Sequence, residues 1–126
     1  MDRNPYKGKT GLKRIWYALF YSLDGLRAAY ISESAFRQEV AATLLLLPLA
    51  LWLGDGALQR AVLIGSVLLV LIVELLNSAV EATVDRISFE SSELAKRAKD
   101  WGSAAVFISL INCGVIWGLF VAERIT

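Results

Sequence analysis

Four polar residues interrupt an otherwise apolar stretch of this chain. Glu74, Asn77, Glu81 and Asp85 are spaced 3, 4 and 4 apart along Glu-Leu-Leu-Asn-Ser-Ala-Val-Glu-Ala-Thr-Val-Asp. At about 100° per residue they fall within an arc of roughly 80° on one helix face. A charge in hydrocarbon costs on the order of 2.5–3.5 kcal/mol even on the lenient insertion scale. Three carboxylates and an amide on one such face therefore call for pairing, a metal or a reaction. A polar seam between helices accounts for Asn77 alone, but not for two glutamates beside it. Clustered carboxylates suit a divalent cation, and Mg²⁺ usually keeps waters and shares its coordination with substrate phosphates. That chemistry points to a nucleotide site rather than a closed metal cage.

Two further clusters carry charge. Lys96, Lys99, Asp100 and Ser103 follow at i, i+3, i+4 and i+7 and share a face, with Ser92 as the expected N-cap of their helix. Cations and a hydroxyl there would meet phosphates; for Lys96 alone, a basic juxtamembrane face is the better reading. Glu33, Arg37, Gln38 and Glu39 gather ahead of the first apolar run, and the i, i+4 spacing of Glu33 and Arg37 predicts a helix salt bridge. Gly8-Lys9-Thr10 imitates the end of a phosphate loop, but the glycine needed five positions earlier is replaced by Arg3.

Composition narrows the chemistry. The chain has no histidine and one cysteine, Cys113, which removes His-based acid–base and nucleophile arrangements, internal disulfides and Cys-based zinc clusters. Of its 126 residues, 56% are hydrophobic and 20% charged, with a net charge of +1. No global field favours nucleic acid, and a chain this short could not hide that much apolar surface in a soluble core. The bilayer is the natural solvent. No apolar segment with a cleavage site follows the basic N-terminus, so no signal peptide is expected.

The elements that must position these residues follow from periodicity and run length. Leu12, Ile15, Trp16, Leu19, Leu23 and Leu26 have helical spacing, with Lys13, Arg14, Tyr17, Tyr21 and Asp24 elsewhere around the turn. This predicts an amphipathic surface helix over about residues 10–28. Spans are expected over about 35–53, 60–85 and 99–122, divided by a Gly54-Asp55-Gly56 turn and a polar loop. Trp52, Trp101 and Trp117 lie near their ends, where interfacial aromatics belong. Three spans place 11 of the 13 basic residues on one side, leaving Arg60 and Arg124 opposite. The positive-inside rule makes that side, with the N-terminus, cytoplasmic. The expected fold is an all-α membrane domain of three transmembrane helices and one surface helix.

Several segments resemble the prokaryotic diacylglycerol kinase family: Gly25-Leu-Arg-Ala-Ala29, Glu33 with Ala35-Phe-Arg-Gln-Glu39, Glu74 to Glu81, Val84-Asp-Arg-Ile87, and Arg97 to Ala105. The resemblance covers Gly25 to Ala105 continuously and the surface helix more loosely. It implies a homotrimer of three-span protomers in the bacterial inner membrane, with sites shared between subunits. It also implies transfer of the γ-phosphoryl group of MgATP to diacylglycerol, forming phosphatidic acid. On the matching positions, Glu74 falls where the family has its catalytic base and Asn77 where a polar residue supports it. Glu33 and Glu81 fall on the metal-binding glutamates. Arg14, Tyr21, Glu33, Glu81, Glu90, Lys99 and Asp100 fall on nucleotide positions. Arg14, Ser22, Arg27, Phe36, Trp52, Glu74 and Ser103 fall among those lining the lipid site. Leu23, Asp24 and the loop at Ser91-Ser92 depart from the family pattern, away from the carboxylate core. The depth order fits: Glu74 is deepest, where a lipid hydroxyl would lie, and Glu81 is about two turns nearer the cytoplasm. The sequence also admits an undecaprenol kinase of the same fold and a non-enzymatic helical membrane scaffold.

Overall fold

A computed structural model describes residues 10–87 and 92–126, and the described residues are almost entirely helical. Four helices follow in order: α1 (Gly11–Ser32), α2 (Ser34–Leu53), α3 (Gly56–Ile87) and α4 (Glu93–Ile125). The last three are long and apolar enough to cross a membrane. α3 packs most extensively on α4 and next on α2, while α1 leans on α2.

α1 runs a full turn past the expected end near residue 28 and stops at a one-residue corner, Glu33, whose backbone is extended (φ −114°, ψ 107°). Arg37 explains the stop. Its Nη1 donates to the carbonyls of Tyr30 and Ile31, both at 2.9 Å, satisfying two of the orphan acceptors at the end of α1. The expected Glu33–Arg37 salt bridge is therefore corrected. Glu33 is the extended N-cap of α2, and its backbone carbonyl rather than its carboxylate accepts from the Arg37 N–H, at 3.2 Å.

α3 and α4 have 32 and 33 residues, roughly 48–50 Å at 1.5 Å per residue. Both exceed a hydrocarbon core of about 30 Å, so each carries polar turns beyond its span. α4 starts at Glu93, ahead of the span expected from about residue 99, and the Ser92 side chain accepts the Ala95 N–H at 3.0 Å, the N-cap the sequence predicts. The α2–α3 hairpin needs both of its glycines. A Cβ on Gly54 would lie 2.7 Å from Arg60 Cγ, and Gly56 has φ +83°, in the left-handed region. Asp55 N–H then donates to Gln59 Oε1 at 2.8 Å, closing the start of α3.

The interior is small. Ala50, Leu53 and Leu63 form its centre, with Ile64, Ile116, Trp117 and Phe120 packed against it. Ser66 ties α3 to α4, accepting from Trp117 Nε1 at 3.1 Å. Only 6% of the apolar window of α4 is buried, and Phe107, Ile108, Leu110, Ile111 and Leu119 are exposed, as lipid-exposed or subunit-facing helices require.

Candidate active site

The α1–α2 corner, the lower half of α3 and the start of α4 converge at one end of the bundle. There a cavity of about 400 Å³ is lined by Glu33, Glu74, Asn77, Glu81 and Ser103, among others. A second cavity of about 840 Å³ opens between α1 and α3, lined by Ser22, Gly25, Glu33, Ser78, Glu81 and Asp85 with neighbouring small residues. Glu33 and Glu81 line both. Each volume lies within the range usual for small-molecule sites. Two compartments that share a pair of carboxylates suit two substrates meeting at a charged junction.

Glu74 is the most enclosed of these acids, only 7% exposed on α3. The carboxyl group of Glu39, on α2, is its neighbour, and Glu39 Oε1 is buried without a partner. Asn77, one turn along α3, also has its Oδ1 buried and unpartnered. The reason is steric: the Asn77 amide packs directly on Gly102 of α4, where a Cβ would come within 3.1 Å of Asn77 Cγ and closer still to Oδ1. Gly102 thus makes the notch that lets α3 and α4 approach at the site.

Charge accumulates toward the polar end. Lys99 Nζ pairs with Asp85 Oδ1 at 2.6 Å, joining α4 to α3 beside the larger cavity. Lys96 pairs with Asp100 at 2.6 Å and Arg97 with Glu93 at 3.1 Å along the exposed side of α4. Asp100 is thus paired along its own helix and lines neither cavity.

The expected site residues divide accordingly. Glu33, Glu74, Asn77, Glu81 and Ser103 are brought together, Ser22 lines the adjoining cavity, and Lys99 reaches its edge through Asp85. Arg14, Tyr21 and Arg27 lie on exposed α1 and line neither cavity. Phe36 is packed inside the protein, 3% exposed. Trp52 sits at the far end of α2, under the Arg124 guanidinium at 4.0 Å, in an apolar cavity of about 430 Å³ with Leu46 and Trp117. Glu90 lies outside the described residues. Glu39, Ser78 and Gly102 enter the site only through packing between helices, although Ser78 does sit three residues before Glu81 and four after Glu74.

No group of three or more metal-ligating side chains occurs among the described residues. Glu33 and Glu81 on a shared cavity wall nonetheless fit Mg²⁺, which proteins commonly hold through one or two carboxylates plus substrate phosphates.

The fold and site define a polytopic helical membrane protein with an acidic, substrate-sized site at the polar end of its spans. Residues 20–121 match the family described as prokaryotic diacylglycerol kinase. Among similar proteins, the diacylglycerol kinase of Pseudomonas aeruginosa is 53% identical over 117 residues, covering 93% of this chain and 95% of the relative. That of Escherichia coli K12 is 56% identical over 108 residues, covering 86% and 88%. A Helicobacter pylori diacylglycerol kinase is 47% identical over 117 residues, covering 93% and 91%. The chain belongs to the prokaryotic diacylglycerol kinase family.

Proposed function

We propose that this protein is a lipid kinase that transfers the γ-phosphoryl group of ATP to the free hydroxyl of diacylglycerol, forming phosphatidic acid. One observation carries the reading: the carboxylates of Glu33, Glu74 and Glu81 and the amide of Asn77 line a single cavity at the polar end of apolar helices, in a chain of this family. Glu74 is buried while Asp85, further along α3, is exposed, a gradient that suits an enzyme joining a membrane alcohol to a soluble nucleotide.

In this mechanism the lipid hydroxyl oxygen bonds to the γ-phosphorus while the bond from that phosphorus to the β–γ bridging oxygen breaks. The hydroxyl proton passes to the carboxylate of Glu74, and ADP leaves with the bridging oxygen. Phosphoryl transfer depends mostly on positioning and charge neutralisation, so the base has to be held rather than unusually reactive. Asn77, seated against Gly102, supports the wall beside Glu74. Glu33 and Glu81 would hold Mg²⁺, which when bound neutralises phosphate charge. Lys99 supplies a cation beside the phosphates, and Arg14, Tyr21, Glu90 and Asp100 complete the nucleotide contacts. Ser22, Arg27, Phe36, Trp52 and Ser103 serve the lipid. Those that lie apart in one protomer fit a homotrimer whose sites are shared between subunits, in the inner membrane with the N-terminus cytoplasmic.

The reading is tested by offering diacylglycerol and undecaprenol in parallel mixed micelles with MgATP. Formation of phosphatidic acid is expected; preferred phosphorylation of undecaprenol would move the protein to another lipid substrate, and turnover of neither by folded protein would contradict the kinase reading.

A further inference from the structure

Hydroxyls inside helices ordinarily return their hydrogen bond to a carbonyl of their own helix. Ser22, Ser32, Thr43 and Thr83 do so here, each to the residue four positions earlier at 2.7–2.9 Å. Ser78 departs from the pattern. Its Oγ donates instead across the molecule to Glu33 Oε1 at 2.9 Å.

The acceptor makes the departure informative. Glu33 is the single non-helical residue between α1 and α2, so no helix surface restrains its side chain. The Ser78 hydroxyl is the one side-chain hydrogen bond given to its carboxylate among the described residues. Ser78 stands three residues before Glu81 on α3, so the bond draws the Glu33 carboxylate toward the helix face that presents Glu81. One oxygen, Oε1, is occupied by Ser78, which leaves Oε2 available to a cation. Both glutamates line both cavities, and Ser78 lines the larger of them.

We propose that Ser78 is a positioning residue that orients Glu33 as a ligand for the nucleotide-bound divalent cation. This rests on the reading of Glu33 and Glu81 as the metal-holding pair. Groups that orient a ligand in this way typically alter metal affinity by about 10- to 100-fold when removed. Ser78 touches neither phosphate nor lipid hydroxyl in this role and acts through Glu33.

The test is Mn²⁺ binding by the purified protein in detergent micelles with a non-hydrolysable ATP analogue, followed by the electron paramagnetic resonance of free Mn²⁺. Ser78→Ala is expected to weaken Mn²⁺ binding about tenfold, whereas Ser78→Thr, which keeps the hydroxyl, stays near wild type. Adding Ser78→Ala to Glu33→Gln should cause no further loss, because the group through which Ser78 acts is already gone. Wild-type affinity in Ser78→Ala, or fully additive losses in the double variant, would overturn the proposal while leaving the metal pair intact. Wild-type affinity in Glu33→Gln would overturn the metal reading of Glu33, and the role of Ser78 with it.

Discussion

At the scale of single residues, the site is built from groups that each forgo an easier arrangement. Asn77 leaves its Oδ1 unpartnered and buried, and Gly102 spends a helix position on having no side chain. A buried acceptor left without a partner costs about 1–3 kcal/mol, and an interior helix glycine about 1 kcal/mol relative to alanine. Gly102→Ala removes the second penalty but drives a methyl group into the Asn77 amide, and overpacking of this kind costs about 1–3 kcal/mol. We therefore expect Gly102→Ala to lower stability against denaturant and to lose that effect when Asn77 is also alanine. An equal loss in both backgrounds would show that the methyl group meets something other than Asn77. The carboxylate face was legible in the sequence because its four polar residues stand out against Leu and Val. Ser78 was not, since a serine in an apolar helix bonds its own backbone by default, and nothing in the sequence announces that this one reaches Glu33. The approach of Glu39 to Glu74 was hidden for a related reason. It depends on how α2 packs on α3, which periodicity along either helix does not encode.

Element boundaries were legible where the chemistry that ends a helix is local. Ser92 and the Gly54–Gly56 turn appear in the structure where their residue types place them. The end of α1 was less so. It depends on Arg37, which lies in the next helix and reaches back to Tyr30 and Ile31. Hydrogen bonds to a charged group contribute about 1.5–3 kcal/mol, less at an exposed position such as this. Arg37→Ala should fray the last turn of α1, with a stability loss on the order of 1 kcal/mol. Amide exchange at residues 29–33, the corner that carries Glu33, should accelerate. Unchanged exchange there would mean that α1 is held by its contacts with α2 rather than by the arginine.

For the whole molecule, three apolar helices bury very little against one another, and α4 least of all. Lipid accounts for such a surface, and so does association with further copies of the chain. Expected lipid and nucleotide residues such as Trp52, Arg14 and Arg27 line neither of the two acidic cavities of one protomer, which favours the second explanation for part of that surface. Crosslinking in native membranes should yield a ladder ending at trimer, whereas a purely monomeric pattern would contradict a shared site. Orientation follows from charge. If the three spans place 11 of the 13 basic residues on the cytoplasmic side, as the sequence predicts, Asp55 should face the periplasm. An Asp55→Cys variant lacking Cys113 should accordingly react with a membrane-impermeant thiol reagent in spheroplasts; labelling only after lysis would reverse the topology.

Glu74, the buried carboxylate where α2, α3 and α4 meet, is the proposed base. Removing a positioned general base lowers the rate by about 10²–10⁴-fold, and Glu74→Gln preserves size and most packing. The most direct test measures phosphatidic acid formation and binding of a non-hydrolysable ATP analogue on one preparation of this variant. Turnover lost by at least two orders of magnitude, with analogue binding retained, is the predicted result. Substantial turnover, or equal loss of turnover and binding, would show that Glu74 is not the base.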